Sequence, residues 1–282
     1  MPSAEAISTP TDWEEAGRAW GARSTDWAYL FEPYARPANE VIFDQLGVGE
    51  GARLLDIACG SGFAAQLAAR RGGVVTGIDA SEALIQIARA RTPGGDFRVA
   101  DMFALPFPDA CFEMATSFNG IWKGCEAALQ EAARVLVPGG RLGLTFWGRL
   151  EHVGLMPYFL KAIELSPPSH GQATIRQGDT GRPGVIEEML VSAGFVPRER
   201  GTVTVINEWP DATLAVRALA AAGPSVPAIQ AAGLGPFCQA LREVIEPLHI
   251  PGTGIRIASE FGWITAELRT KTHSPRASGT RA

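Results

Sequence analysis

Residues Leu54 to Gly62, reading Leu-Leu-Asp-Ile-Ala-Cys-Gly-Ser-Gly, form an apolar run that enters a glycine turn and passes straight into helix-favouring Phe63 to Arg70. A buried strand turning into a helix commits a chain to α/β architecture, because the helix must pack back onto the sheet its strand belongs to. Glycines at such a turn let a ligand approach backbone N–H groups. Further on, a second apolar run, Val74 to Asp79, ends in a carboxylate able to accept hydrogen bonds from both hydroxyls of a ribose. A glycine turn followed by a strand-end acid implies a cofactor of the adenosine type.

The same alternation continues from about residue 50 to 147, with further strands expected at Phe97 to Ala100, Phe112 to Ser117 and Leu142 to Trp147. Ser81 is placed to cap a helix carrying Leu84, Ile87 and Ala88 on one face. A helix with Ala128, Leu129, Ala132, Val135 and Leu136 inward is expected to stop at Pro138-Gly139-Gly140. After Trp147, Pro157, Pro167, Pro168, Gly171, Gly178 and Gly181 punctuate a stretch read as part of a lid. A helix is expected from Val185 to Ala193, then extended runs at Phe195 to Ile206 and Gly254 to Leu268. Ala-rich helical segments at Ala212 to Ala222 and Phe237 to Leu248 lie between them.

This pattern divides the chain into an N-terminal helical cap (1–50), a cofactor-binding core (51–147), a lid segment (148–182), the remainder of the core sheet (183–207 and 251–269), a helical lid insertion (208–250) and a disordered tail (270–282). A length of 282 residues with 46% hydrophobic and 20% charged residues suits a packed enzyme. The net charge of −5, with no cluster of Lys and Arg, argues against a nucleic-acid substrate. Cys59, Cys111, Cys125 and Cys238 have no metal-ligand spacing and read as free thiols of a reducing cytoplasm. Acidic Glu5, Asp12, Glu14 and Glu15 near the start, and the lack of about 18 uninterrupted apolar residues, imply neither secretion nor a membrane span.

Two cofactors compete for the glycine turn, because Gly60-x-Gly62-x-x-Ala65 also fits a dinucleotide fingerprint. A dinucleotide places an anionic pyrophosphate at the helix N-terminus, where Asp56 just upstream would repel it. S-adenosylmethionine brings an ammonium and a sulfonium instead, so the charge pattern favours it.

The sequence from about residue 30 to 147 resembles the class I S-adenosylmethionine-dependent methyltransferases, especially those that act on small molecules. Asp56-x-x-x-Gly60-x-Gly62 is similar to the family's first motif, Asp79 to its ribose acid, and Asp101-Met102 to its adenine-contacting pair. Leu105-Pro106-Phe107-Pro108-Asp109 with Phe112-Glu113-Met114, Ser117-Phe118-Asn119, and Arg134 to Leu142 resemble its fourth strand, that strand's end and the turn before the fifth. The resemblance implies a Rossmann-like, doubly wound, mostly parallel seven-stranded α/β sheet with an antiparallel last strand and a helical lid. It implies a cofactor site made from Tyr34, Asp56, Ala58, Gly60, Gly62 and Asp79, with Ala80, Asp101, Met102, Phe103, Phe118 and Asn119. Tyr34 is chosen among the N-terminal aromatics as a wall of that site. Many relatives have glycine where this chain has Ala58.

Methyl transfer from a sulfonium is an in-line displacement, in which alignment and exclusion of water matter most. A general base is needed only if the acceptor must lose a proton; His152, His170 and Glu151 are the candidates, and no catalytic residue is assigned. No metal site is expected. The resulting expectation is a cytoplasmic methyltransferase, monomer or homodimer, that methylates oxygen, nitrogen or carbon of a small molecule. The alternatives are a non-methylating family member that keeps the cofactor and a nicotinamide-dependent oxidoreductase.

Overall fold

A computed structural model describes residues 13–168 and 180–270 of the chain. Eight strands form one sheet: β1 (Arg53–Ile57), β2 (Val74–Asp79), β3 (Asp96–Val99), β4 (Phe112–Phe118), β5 (Leu136–Trp147), β6 (Phe195–Trp209), β7 (His249–Ile250) and β8 (Gly254–Leu268). The order is β3-β2-β1-β4-β5-β8-β6, with the short β7 pairing to β8 off this path. Strands β1 to β5 pair in parallel, whereas β8 runs antiparallel to both β5 and β6. The chain winds outward from β1 to β3 and then returns to β4 on β1's other side. That reversal opens a crevice at the carboxyl ends of β1 and β4, where open α/β sheets bind ligands.

Ten helices of eight residues or more accompany the sheet among the described residues. These are α1 (Trp13–Gly21), α2 (Arg36–Leu46), α3 (Phe63–Arg70), α4 (Glu82–Arg91), α5 (Glu126–Val135), α6 (Met156–Leu165), α7 (Val185–Ser192), α8 (Ala212–Ala220), α9 (Ser225–Ala232) and α10 (Leu234–Ile245). Because successive strand residues face opposite sides, Leu54 and Leu55 of β1 enter different cores. Leu54 packs with Ile42, Phe43, Leu46, Leu67 and Ile85 of α2, α3 and α4. Leu55 joins Leu129 of α5, Leu190 of α7 and Leu142 and Phe146 of β5. A third core lies between the lid helices and the ends of β6 and β8, where Tyr158 and Phe159 of α6 and Val216, Leu219, Phe237 and Leu241 of α8 and α10 cluster with Trp209, Ile255 and Ile257. Among the described residues no single helix is long and apolar enough to cross a membrane.

Local chemistry fixes the helix ends. The Ser81 hydroxyl accepts from Leu84 N at 3.3 Å to cap α4, and the Asp211 carboxylate accepts from Leu214 N at 2.9 Å to cap α8. Gly17 brings α1 down onto the Ala80–Ser81 turn, since a Cβ there would collide with the Ala80 carbonyl.

Several elements differ from their sequence expectation. The sheet has eight strands because β7, only two residues long, adds to β8. Strand β5 begins at Leu136, paired with Phe112, so α5 ends at Val135 and Pro138-Gly139-Gly140 lies inside β5. The register between β4 and β5 shifts there, between Phe112 and Met114, making those residues a bulge that absorbs the helix breakers. Helix α6 falls where prolines suggested irregular chain; Pro157 occupies its first turn, a position whose missing N–H costs no hydrogen bond. Helix α9 falls between the two expected helical segments, in a stretch for which the sequence reading gives no helix. The tail from residue 271 and the part of the expected lid at 169–179 lie outside the described residues.

Candidate functional site

The turn after β1 requires three residues in the left-handed region: Ala58 at φ 57°, Gly60 at 56° and Gly62 at 73°. Its N–H groups are already committed. Gly60 N donates to Asp79 Oδ2 at 2.9 Å, Ser61 N to Glu32 Oε1 at 3.0 Å, and Gly62 N to Cys59 O at 3.0 Å. The ligand approach to these groups expected from the glycines is therefore corrected: two carboxylates of the chain itself occupy the place. A Cβ at Gly60 would lie 2.6 Å from Glu32 Oε1, and one at Gly62 would lie 2.7 Å from the Ala88 Cβ of α4. Gly60 thus makes room for Glu32, and Gly62 for the packing of α3 on α4.

Glu32 comes from the helical segment 24–35 that leads into α2, and it holds that segment over the turn. It also accepts from the Ser61 hydroxyl, and Arg91 of α4 pairs with it at 2.8 Å while donating to Ala28 O at 2.6 Å. Trp209 Nε1 donates to Leu30 O at 2.8 Å from the far end of β6, and Arg217 reaches Asp26 Oδ1 at 2.5 Å. Nothing in the spacing of Glu32 and Ser61 signals this contact, since 29 residues separate them.

Beneath the segment, at the carboxyl ends of β1, β2, β4 and β5, lies a cavity of about 240 Å³. Ten of the twelve expected site residues line it: Tyr34 from the N-terminal segment, Ala58 and Gly60 from the turn, Asp79 and Ala80 after β2, and Asp101, Met102 and Phe103 after β3, with Phe118 and Asn119 closing β4. Gly62 and Asp56 do not. Asp56 sits below the turn, nearly fully buried, with Oδ1 accepting from Thr116 Oγ1 at 2.8 Å and Oδ2 lacking any partner. Trp13, Trp20, Trp27 and Phe31, for which folding over the cofactor and core packing are equal expectations from the sequence, and Trp147, expected to face the substrate or finish the core, line the same cavity, as does Tyr158, which the sequence does not single out. The sequence showed these aromatics but not which faces of their helices would turn inward.

Asp79 accepts two backbone N–H groups, one on each oxygen, from Gly60 and from Ser81 at 2.9 Å. Each oxygen keeps a lone pair for a further donor. Asp101 Oδ1 accepts from Phe103 N at 2.9 Å, which shapes the turn after β3. Glu32, Asp56 and Asp79 surround the glycine turn, and burial raises all three above the usual carboxylate range, Asp56 to about 7. Arg91 partly offsets this at Glu32, and the Thr116 hydroxyl does so at Asp56. Among the described residues none that lines the cavity is Lys, Arg or His. The site therefore favours a cation at the turn and offers nothing to an anionic phosphate.

Two of the three candidate bases, Glu151 and His152, are not in this cavity. His152 lies 3.3 Å from Glu260 and Glu151 is 3.7 Å from Arg149, both on an exposed turn before α6. His170 lies outside the described residues. Among the described residues there is no metal-binding cluster of His, Cys, Asp or Glu.

The sequence and the fold match known proteins. A family profile described as a methyltransferase domain matches residues 54–140, from β1 to the start of β5. A demethylmenaquinone methyltransferase of Tropheryma whipplei is 38% identical over 173 residues, an alignment covering 53% of this chain and 69% of that protein. The chain belongs to the class I S-adenosylmethionine-dependent methyltransferases. A second relative within them, the 27-O-demethylrifamycin SV methyltransferase of Amycolatopsis mediterranei, is 39% identical over 103 residues, covering 33% of this chain and 38% of its own. Against mycobacterial relatives the chain spans about half their length, 47% in Mycobacterium bovis. The [4+2]-cyclase SpnF has the same methyltransferase fold, with a TM-score of 0.55 at 21% identity over 84% of this chain and 82% of that one. S-adenosylmethionine is the family's cofactor, and the buried acids of the candidate site, with Asp56 Oδ2 unpartnered and the lining free of cations among the described residues, suit its ammonium and sulfonium.

Proposed function

We propose that this chain transfers a methyl group from S-adenosylmethionine to a small-molecule acceptor. The observation that carries this reading is the occupation of the turn's N–H groups by Asp79 and Glu32, which leaves a negative turn where a dinucleotide would need a positive one. Two relatives named for methylation of demethylmenaquinone and of a rifamycin support a small acceptor. The acidic sequence and four free cysteines support a cytoplasmic enzyme that does not act on nucleic acid.

In this reading Asp79 holds the ribose hydroxyls with its two spare lone pairs, and Asp101, Met102 and Phe103 hold the adenine. Asp56 and Glu32 supply the negative field for the ammonium. Trp27 Nε1, buried beside Gly60 and without a partner among the described residues, is a neutral donor suited to the cofactor's carboxylate. The bound cofactor supplies an electrophilic methyl. The protein's part is to align the acceptor and exclude water, for which the segment 24–35 and helices α6 and α8 to α10 act as a cap and lid. Incubation with methyl-labelled S-adenosylmethionine and a metabolite extract tests the reading: label should move to an extractable product. Tight binding of S-adenosylhomocysteine without any label transfer favours the non-methylating alternative, and a saturable NADH fluorescence titration favours the oxidoreductase.

A further inference from the structure

Eight aromatic rings form one continuous chain around the cavity. Trp20 meets Trp27 at a centroid distance of 4.9 Å, Trp27 meets Phe31 at 5.0 Å, and Phe31 meets Tyr34 at 4.8 Å. Tyr34 continues to Phe261 at 5.8 Å, Phe261 to Trp147 at 4.8 Å, Trp147 to Phe159 at 5.0 Å, and Phe159 to Tyr158 at 4.9 Å. All of them but Phe261 line the cavity. The cofactor's expected groups lie at the glycine turn and the ends of β2 and β3. The rings of Tyr34, Trp147 and Phe159 therefore wall the remaining space.

From this arrangement, and resting on the methyl-transfer reading, we infer that the acceptor is an uncharged, flat, largely apolar molecule bearing a hydroxyl on a conjugated ring, not a carboxylate, a phosphate or an ammonium. Three observations carry the inference. An anionic acceptor would find no Lys, Arg or His in the cavity wall and would face Asp79 and Asp101. An ammonium has no lone pair until it is deprotonated, whereas a hydroxyl keeps its lone pairs with its proton in place; the carboxylates lining the cavity among the described residues, Asp79 and Asp101, are given to the cofactor in this reading. Nor do the rings form an open cage for it: Tyr34 meets Phe31 and Phe261, and Trp147 meets Phe261 and Phe159, edge to face at 76° to 83°, while Phe159 is tilted 47° against Tyr158, so that these ring faces are partly covered by their neighbours.

The polar groups left over fit one neutral oxygen. Tyr158's hydroxyl is tied to Leu219 O at 3.2 Å and Ser225 Oγ at 2.9 Å and is not available. Burial pushes the Tyr34 phenol well above its usual range, so it remains a neutral donor. Asn119 is oriented by Thr145, whose hydroxyl accepts from Asn119 N at 3.1 Å and donates to Oδ1 at 3.2 Å, which leaves the amide NH₂ for a ligand. One phenol and one amide can position a neutral hydroxyl; on transfer its oxygen bonds the methyl as the methyl–sulfur bond breaks, and the hydroxyl proton is released to water.

Calorimetry on the full-length protein separates this inference from the reading beneath it. S-adenosylhomocysteine is titrated first; if it does not bind, the methyl-transfer reading fails and takes the inference with it. The protein saturated with S-adenosylhomocysteine is then titrated with three probes sharing one ring system: 2-naphthol, 2-naphthoate and 2-naphthylmethylammonium. The expected result is that 2-naphthol binds at least tenfold more tightly than either charged probe. Phe159→Leu, which keeps apolar bulk and removes the ring, should weaken 2-naphthol at least threefold with S-adenosylhomocysteine affinity unchanged. Equal or tighter binding of the carboxylate or the ammonium, or no binding of 2-naphthol to the cofactor-loaded protein, overturns the inference while leaving the methyl-transfer reading intact.

Discussion

Glu32 and Ser61 are joined twice, the Ser61 backbone N–H donating to Oε1 at 3.0 Å and its hydroxyl donating to Oε2, so that the N-terminal segment is fastened to the turn after β1. Both partners are largely shielded, and Arg91 completes the group at 2.8 Å from Glu32 with only 11% of its side chain exposed. Removing the acid would leave a buried guanidinium and a buried N–H without their acceptor. Glu32→Ala should therefore cost about 3 kcal/mol of stability, as breaking a buried ion pair does. It should also weaken S-adenosylhomocysteine, because the segment carrying Trp27 and Tyr34 is released. Urea denaturation and calorimetry check this; a stability loss below about 1 kcal/mol would show that the fastening is superficial.

Asp79 has both a structural and a ligand-directed side. Its two oxygens accept Gly60 N and Ser81 N, and the residue lines the cavity. Asp79→Ala should lower S-adenosylhomocysteine affinity by about 2 kcal/mol, roughly thirtyfold, since two ligand hydroxyls lose a charged acceptor. Circular dichroism at the titration temperature verifies that the variant is folded. A folded variant binding within threefold of wild type would remove Asp79 from the cofactor site.

The buried acids make both stability and binding depend on pH, with opposite signs. Burial raises Asp56 to about 7, from an ordinary value near 4, with Glu32 and Asp79 adding to the rise and the Thr116 hydroxyl opposing it. Between those two values the folded chain holds a proton that the unfolded chain has released, so stability falls as pH rises through this window and levels off above about 7. A cationic ligand favours the ionised carboxylate, so S-adenosylmethionine should bind more tightly as pH rises through the same window and should release protons on binding near pH 6.5. Calorimetry in buffers of different ionisation enthalpy measures that release. Asp56→Asn should reduce it, and an unchanged release would assign the protons to Glu32 or Asp79 instead.

The turn after β1 holds one residue that its backbone does not favour. Ala58 adopts φ 57°, where an L side chain is strained by about 1 kcal/mol. Ala58→Gly should be neutral or stabilising by up to about 1 kcal/mol, the gain limited by the greater freedom of glycine in the unfolded chain. Ala58→Val should cost more than about 2 kcal/mol, because its branched side chain meets the same backbone and the space beside Gly120 is already taken by the alanine methyl. Thermal denaturation of the two variants decides the matter.

These residues also show what the sequence could and could not reveal. The strand-turn-helix at Leu54 to Arg70 and the acid at Asp79 were legible because each is a local pattern: an apolar run, a glycine pair and a carboxylate at a strand end. The bulge that lets β5 run through Pro138-Gly139-Gly140 was not, because it depends on Leu136 pairing with Phe112 across the sheet. Helix α6 was hidden by the rule that proline breaks helices, which fails in a first turn. Glu32 escaped notice because an acid in a helical segment looks solvated until the fold brings Ser61 and Arg91 to it. The ring chain joins Trp20 to Tyr158 through four separate stretches of sequence, so its composition was visible and its continuity was not.

Helices α6, α8, α9 and α10 pack Tyr158, Leu219, Phe237 and Leu241 into a cluster that meets the sheet at Trp209 of β6 and at Ile255 and Ile257 of β8, away from the clusters that clasp β1. Elements with a separate core open as a separate cooperative unit, at a free energy below that of global unfolding. Their amide hydrogens should therefore exchange together, and faster than those of β1 and β4, which are paired on both edges. S-adenosylhomocysteine should protect the turn at 58–62 and the segment 24–35 strongly. It should protect α6 and α9 only in part, because Tyr158 and Phe159 of α6 face the space left to the acceptor and α9 stands behind them through Ser225. Adding 2-naphthol should complete their protection, since closure over an acceptor draws on the least stable elements of a fold. Hydrogen exchange followed by mass spectrometry measures all three states. If α6 and α8 to α10 are as slow as β1 in the free protein, these helices are part of the structural core and the acceptor must enter by movement of the N-terminal segment alone.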